Sequence, residues 1–489
     1  MSLDARPSPL AVPAPPRPAP APPRPYRFPP FERRRFANGV GLVVAPVHKL
    51  PLVSVIVLVD AGAASDPDGR EGLAQITAKG LAEGTSATDG ATLADRVERL
   101  GTSLDTHADW DTALLRVTVS RERMAEATAL LGEVLLAPAF PERELERLKG
   151  ERQAEILAQR AEPRGLADEM FDRFAYAESA RYARPEGGSA ESVAAIGRDD
   201  VVRFYRTRYR PEHTTLVVAG DVTVDDAERL IGDVFGVWAA RGAPPGEEVT
   251  AKYGTTRHPS DAFGVASLPI DAPARLTRAV HVVAKPDAPQ SELRVGHVGL
   301  KRLHPDYFPV VVMNAVLGGL FSSRINLNLR EAHAYTYGAH SGYDWRRAAG
   351  PFSVSTAVRS DVTDAAAREI LHEIDRIRAQ PVGEEELSLA TSYLDGVFPI
   401  RYETTAAIAS ALANLVLYKL PEDFYDAYRG QVRGVTRDDV LAAARAHLYP
   451  ERLQIVAVGD AAAIRAPLEA LGFGHVHVYD AEGRETANG

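Results

Sequence analysis

The chain has 489 residues, too many for a single compact core, and at about 150 residues per domain it predicts three or four domains. Apolar residues make up 45% and charged residues 25%, the balance of a globular protein, and the net charge of −10 is spread without a basic stripe for nucleic acid. The absence of cysteine excludes disulfides, thiolate catalysis and Cys-ligated zinc or iron–sulfur centres.

Residues 1–28 are dominated by Pro, Ala and Arg and are expected to form an extended tail that buries no core. The first 30 residues contain 12 of the 35 prolines and no continuous apolar run, so no secretory signal is visible. The longest mostly apolar run near the start, 51–59, is too short for a membrane span. The expected location is the cytoplasm, with periplasm or cell envelope as the alternative if the true start lies elsewhere. From Phe31 onward, apolar β-branched runs at 40–45 and 53–59 predict strands joined by a turn near His48. Helices are predicted over 71–82, 92–100 and 142–162, and a strand over 112–120. This alternation argues for an α+β fold.

An internal repeat organises the chain. Arg198-Asp199-Asp200-Val201 recurs as Arg437-Asp438-Asp439-Val440, Pro211-Glu212 as Pro450-Glu451, and Gly220-Asp221 as Gly459-Asp460. All three matches share one gapless shift, 437 − 198 = 239. More weakly, 42–45 resembles 282–284. Two tandem domains are therefore expected, 29–240 and 276–480, each a mixed β-sheet covered by helices. A linker over 241–275 and a tail over 481–489 complete the chain. Two equivalent lobes imply a cleft between them, a frequent place for a ligand.

The segment Asp60-Ala61-Gly62-Ala63 and the run from Gly72 to Thr85 resemble the signature region of the pitrilysin/insulinase family of inverted-zincin metallopeptidases, which includes the mitochondrial processing peptidases. In active members, H-x-x-E-H places two zinc-binding His on one helix face, with the Glu as general base. Here those five positions read Gln75-Ile76-Thr77-Ala78-Lys79. Both His and the base are absent, and none of the 13 histidines begins such a motif. Glu155 occupies the place of the family's third ligand and, alone, reads as a solvated or salt-bridged helix residue. The resemblance thus implies a degenerate zinc motif at Gln75, Ala78, Lys79 and Glu155, and no metal or cofactor in this chain.

In the second half, Leu317-Gly318-Gly319, Ser322-Ser323-Arg324 and Leu329-Arg330-Glu331 lead to Tyr335-Thr336-Tyr337-Gly338, similar to the family's C-terminal segment. Carried over by position, Arg330 and Tyr337 are the pair that binds substrate backbone and steadies the oxyanion; both side chains donate hydrogen bonds to a carbonyl oxygen. Taken alone, Arg330 reads as a surface charge paired with Glu331, and Tyr337 as a core aromatic. Gly318 and Gly319 read first as a helix stop; the resemblance adds a possible substrate contact. The segment from Gly101 to His107 corresponds to the family's edge strand, which pairs with extended peptide.

The resemblance covers about residues 30–480. It implies a non-zinc subunit of a heterodimeric zinc metallopeptidase, inactive alone, that encloses a chamber with an H-x-x-E-H-bearing partner. Arg330 and Tyr337 would act on peptide substrates at the partner's zinc. The alternatives are an inactive structural subunit and a peptide-binding homodimer of the same fold.

Overall fold

The computed structural model describes residues 25–238 and 270–486. Within these residues, twelve strands form two six-stranded mixed sheets. The first holds β1 (Glu32–Arg35), β2 (Gly41–Pro46), β3 (Leu52–Val59), β4 (Asp105–Ala108), β5 (Ala113–Ser120) and β6 (Thr214–Gly220). The second holds β7 (Ala279–Ala284), β8 (Gln290–Val298), β9 (Ala339–Tyr343), β10 (Pro351–Arg359), β11 (Gln454–Gly459) and β12 (His475–Tyr479).

The sheet orders are β1-β2-β6-β3-β5-β4 and β12-β7-β11-β8-β10-β9. Five strands correspond one to one, with the same parallel β2–β6 and β7–β11 pairs and the same antiparallel neighbours. The repeat read from the sequence falls on matching elements: helices Arg198–Arg208 and Arg437–His447, then strands β6 and β11. The sixth strand differs. β1 enters from the N-terminal side and runs antiparallel to β2, whereas β12 enters from the C-terminal side and runs parallel to β7.

Each half lends the other a helix. Pro163–Ala175 starts with a proline in its first turn, where no N–H is needed. It lies on β8 and β11 of the second sheet, where Phe174 stacks on His281 at 4.3 Å and Arg294 pairs with Asp168 at 2.6 Å. Reciprocally, the apolar helix Thr405–Leu417, capped by Thr404, lies on β3 and β6 of the first sheet. Ser54 and Thr405 share a hydrogen bond of 2.9 Å there. One buried core accordingly takes in Val283, Val456 and Val458 of the second sheet, and the other takes in Val43, Ile56 and Val217 of the first. Between the halves, the Arg346 guanidinium lies 4.5 Å from the ring centres of both Trp110 and Tyr182 and bonds Asp344 at 2.6 Å.

The expected linker, 241–275, lies mostly outside the described residues, as do residues 1–24 of the expected tail. The tail's last residues depart from the expectation that nothing there is buried. Phe28 is 5% exposed, stacks on Tyr425 at 4.7 Å and meets Tyr402 edge-on, while the Tyr26 hydroxyl donates to the Tyr402 carbonyl. Two aromatic residues suffice to dock this end of a proline-rich stretch, because the helices beneath it present a matching aromatic face.

The stretch Tyr307–Ala332 is long and apolar enough, by length and composition, to cross a membrane. It is not one continuous helix: Leu320 is extended, and 56% of its most apolar window is buried inside the fold. That burial explains its apolar character as core packing.

Candidate functional site

The helix Leu73–Gly80 carries the five motif positions. Its start is built by Gly72 and Asp66. Gly72 has φ +95°, and a Cβ there would lie 2.7 Å from the Gly187 carbonyl oxygen, so only glycine fits. Lacking a side-chain cap of its own, the helix takes one from Asp66, whose carboxylate accepts from the N–H groups of Gly72 and Ala74, each at 2.8 Å. Burial pushes the Asp66 carboxyl up to about 6, against the opposing pull of Arg181 and these two N–H groups. Arg181, 3.1 Å from Asp66 and equally buried, also donates to the carbonyls of Ala63, Arg184, Pro185 and Glu186. One buried ion pair therefore fixes both the helix start and the loop that faces it.

On this helix Ala78 is buried, while Gln75 and Lys79 are half-buried. Lys79 Nζ donates to Glu155 Oε1 at 3.3 Å across from the helix Glu142–Ala161, and Arg152 donates to Glu155 Oε2 at 3.1 Å. The structure thus brings Gln75, Lys79 and Glu155 into one region and makes Glu155 a salt-bridged residue. Burial raises the Glu155 carboxyl, but Arg152 and Lys79 more than offset it, and the net value is below the ordinary range. Arg152 was not anticipated from the sequence, although its three-residue spacing from Glu155 on a helix was a usable signal.

A zinc ion does not fit these residues. Both oxygens of the only carboxylate are taken by cations, Ala78 offers no base, and an ammonium occupies the side of the site where a second imidazole would be needed. Elsewhere among the described residues, His304, Asp306 and His447 hold ligand atoms within 4.8 Å of one another. Those groups bond each other: His447 Nε2 meets Asp306 Oδ2 at 2.6 Å, and the Asp306 N–H donates to His304 Nδ1.

In the second half, Tyr307–Asn314 continues as a π-helical turn, Ala315–Gly319, and after a break a second π-helical turn, Leu327–Ala332, carries Arg330. Arg330 pairs with Glu331 at 3.4 Å and lies 4.6 Å over the ring of Phe321. Tyr337 is 94% exposed, which corrects its reading as a core aromatic. Phe321, at 68%, and Leu327, at 43%, are exposed in the same segment. Gly318 is buried, and a Cβ there would lie 2.4 Å from Ser341 Oγ, so its bareness serves close packing of this turn on β9. Asn314 and Ser341 clasp the same contact through hydrogen bonds of 3.0 and 2.8 Å. Gly319 is exposed at the end of the turn. Among the described residues no hydrogen bond, ion pair or ring contact joins Arg330 or Tyr337 to Gln75, Lys79 or Glu155.

Of the segment 101–107, the last three residues, from Asp105 to His107, lie in β4, one of the two edges of the first sheet. β4 pairs only with β5 and runs beside the motif helix.

Two mixed six-stranded sheets with exchanged helices define an α+β protein built of two similar halves. The family comparisons agree: residues 43–184 match the model described as insulinase (peptidase family M16), and residues 195–394 match the model described as peptidase M16 inactive domain. The chain belongs to the M16 (insulinase/pitrilysin) peptidase family. It is 24% identical over 313 residues to an uncharacterized zinc protease of Streptomyces coelicolor, covering 64% of each chain and so less than two thirds of that relative's length. It is 24% identical to the human mitochondrial-processing peptidase subunit alpha, covering 92% of this chain and 86% of that one. It is 22% identical to a non-peptidase homolog of Helicobacter pylori, covering 82% and 87%. The crystal structure of a peptidase M16 inactive domain from Pseudomonas fluorescens superimposes with a TM-score of 0.78 at 24% identity, covering 88% of this chain and 98% of that chain.

Proposed function

We propose that this chain is the zinc-free subunit of a two-subunit M16 peptidase, and that it presents Arg330 and Tyr337 to peptide bound at an H-x-x-E-H-bearing partner. The observation that carries this reading is the segment 320–338. Phe321, Leu327 and Tyr337 lie exposed in the same segment as a half-exposed Arg330, a cost in apolar exposure that a partner or substrate would relieve. The mixed picture among the relatives also supports it: one is named a zinc protease, one a non-peptidase homolog, and one a subunit of a processing peptidase.

In this reading the partner supplies the metal and the general base. Arg330 holds the substrate backbone through a planar fork of donors, and the Tyr337 hydroxyl donates to the carbonyl oxygen as it gains charge. The free edge of β4 offers backbone donors and acceptors to an extended peptide. Lys79 and Arg152 keep Glu155 neutralised, so the motif helix of this chain serves as scaffold.

The test is reconstitution. The chain alone should show no peptidase activity and should restore activity on mixing with an H-x-x-E-H relative from the same source. Tyr337→Phe in this chain should lower turnover of the pair by about 10²-fold while leaving assembly intact. Unchanged turnover would remove Tyr337 from the chemistry. A second reading, a non-catalytic structural subunit, is favoured by the Lys79–Glu155 pair; assembly without any activity in the reconstituted pair would establish it.

A further inference from the structure

A cavity of about 420 Å³ lies in the second half, between the start of the Tyr307–Asn314 helix and the helices Glu384–Arg401, Thr405–Leu417 and Phe424–Gly434. Its walls are largely aromatic, with Tyr307, Trp345, Tyr402 and Phe424 among them. Three charged side chains line it: Arg302, Asp344 and Arg401. Asp344 is engaged by Arg346, which donates to it at 2.7 and 2.6 Å. Both contacts fall on one oxygen, Oδ2, and after burial it is Asp111, Asp109 and Asp344 that raise the hydroxyl of the lining Tyr418, so the cavity is lined by two arginines and one partly engaged carboxylate.

Arg302 is 9% exposed. Its guanidinium lies 3.8 Å over the ring of Tyr307, 4.8 Å from that of Phe424 and 5.8 Å from that of Tyr418. Its backbone N–H is anchored on the Arg346 carbonyl at 2.8 Å. Among the described residues, no carboxylate lies within ion-pair distance of its guanidinium, in contrast to the other buried arginines Arg181, Arg294, Arg324, Arg346 and Arg429. Aromatic faces compensate a buried guanidinium only in part, and an acceptor in the plane of the guanidinium would complete the compensation. Arg401 bears on the same spot. Burial pushes the hydroxyls of Tyr307, Tyr402 and Tyr428 above their usual value, and Arg302 and Arg401 both pull each of the three back.

We propose that this cavity is a binding site for a small aromatic carboxylate, its carboxylate forked on the Arg302 guanidinium with Arg401 beside it and its ring seated among the aromatic walls. A planar guanidinium matches the geometry of a carboxylate, and the ring replaces water on surfaces that stack well. The proposal concerns this chain alone and does not depend on the subunit role inferred above.

The experiment uses the full chain without a partner. N-acetylphenylalanine is titrated by calorimetry and by fluorescence, since Trp345 lines the cavity. The neutral amide of the same compound and phenyl phosphate are titrated in parallel. The acid should bind saturably at one site, and the amide at least about tenfold more weakly, because it cannot supply the counter-charge. Arg302→Met should weaken the acid by at least about tenfold. Arg401→Gln, at an exposed position that leaves the fold undisturbed, should weaken it several-fold. Equal binding of acid and amide, no saturable binding of the acid to the wild type, or an unchanged affinity in both arginine variants would overturn the site. Phenyl phosphate binding tenfold tighter than the acid would overturn the carboxylate assignment in favour of a phosphate.

Discussion

The two halves of this protein share one strand plan and carry opposite loads. In the first half, the helix after β3 holds the motif positions, and ion pairs flank them: Lys79 and Arg152 on Glu155, and Arg181 on Asp66. In the second half, the equivalent region winds through two π-helical turns and leaves Arg330, Phe321, Leu327 and Tyr337 facing outward. π-Helical turns are inefficient in backbone packing and are retained mostly where a site needs them. The contrast shows how two copies of one strand plan can differ: the first surrounds its region with ion pairs within the chain, and the second leaves large apolar side chains exposed.

Removing the buried pair is the strongest way to break the first half. Asp66→Ala should cost about 3–5 kcal/mol, because it uncaps the motif helix and leaves the Arg181 charge buried without compensation. The urea midpoint measures this, and a loss below about 1 kcal/mol would mean the pair does not organise the site.

Next comes the contact between the halves. Asp111 is 7% exposed and accepts from the Arg347 N–H at 3.0 Å. Burial pushes its carboxyl up to about 6, with the Arg347 N–H and charge only partly opposing. Because the folded protein then keeps a proton that the unfolded chain releases, this group's contribution to stability is full below about pH 4 and is lost as pH rises to about 6. Asp111→Asn should abolish that loss, gaining on the order of 2–3 kcal/mol on the wild type between pH 4 and 7. Parallel stability profiles for the two proteins would contradict it.

In the second half, Gly318→Ala drives a Cβ into Ser341 and should cost about 1–3 kcal/mol. A neutral result would mean that the turn can move away from β9, and Gly318 would return to consideration as a substrate contact. Lys79→Ala should change stability by only about 0–1 kcal/mol, since the ion pair is half-exposed. At the exposed Tyr337, substitution by Phe should leave thermal unfolding unmoved, so that any loss of turnover in the reconstituted pair reports function and not folding.

Much of the fold was visible in the sequence because its signals are local. Apolar β-branched runs predicted strands at 40–45 and 53–59, with another expected over 112–120, and the structure has them at Gly41–Pro46, Leu52–Val59 and Ala113–Ser120. The charged helix predicted over 142–162 is Glu142–Ala161. The constant shift of 239 anticipated the repeated sheet order, since both copies keep the same helix–turn–strand signals. The site was less visible. The positions of Gln75, Lys79 and Glu155 followed from a resemblance, but the closing of Glu155 by Arg152 as well as Lys79 required the packing of two helices. Tyr337 read alone as a core residue because aromatic side chains are usually buried; nothing local in its segment marks it as exposed.

By itself, then, the sequence determined the elements, their duplication, the lack of any H-x-x-E-H run, and the absence of any cysteine chemistry. Only the tertiary structure decided which sheet each helix covers. An amphipathic pattern specifies that a face will be buried and not against what. Pro163–Ala175 and Thr405–Leu417 therefore cross to the opposite sheets without any sequence signal that they would. The same holds for Arg302. Its charge is written in the sequence, but the lack of a counter-ion beside it is a property of the space that five separate segments enclose.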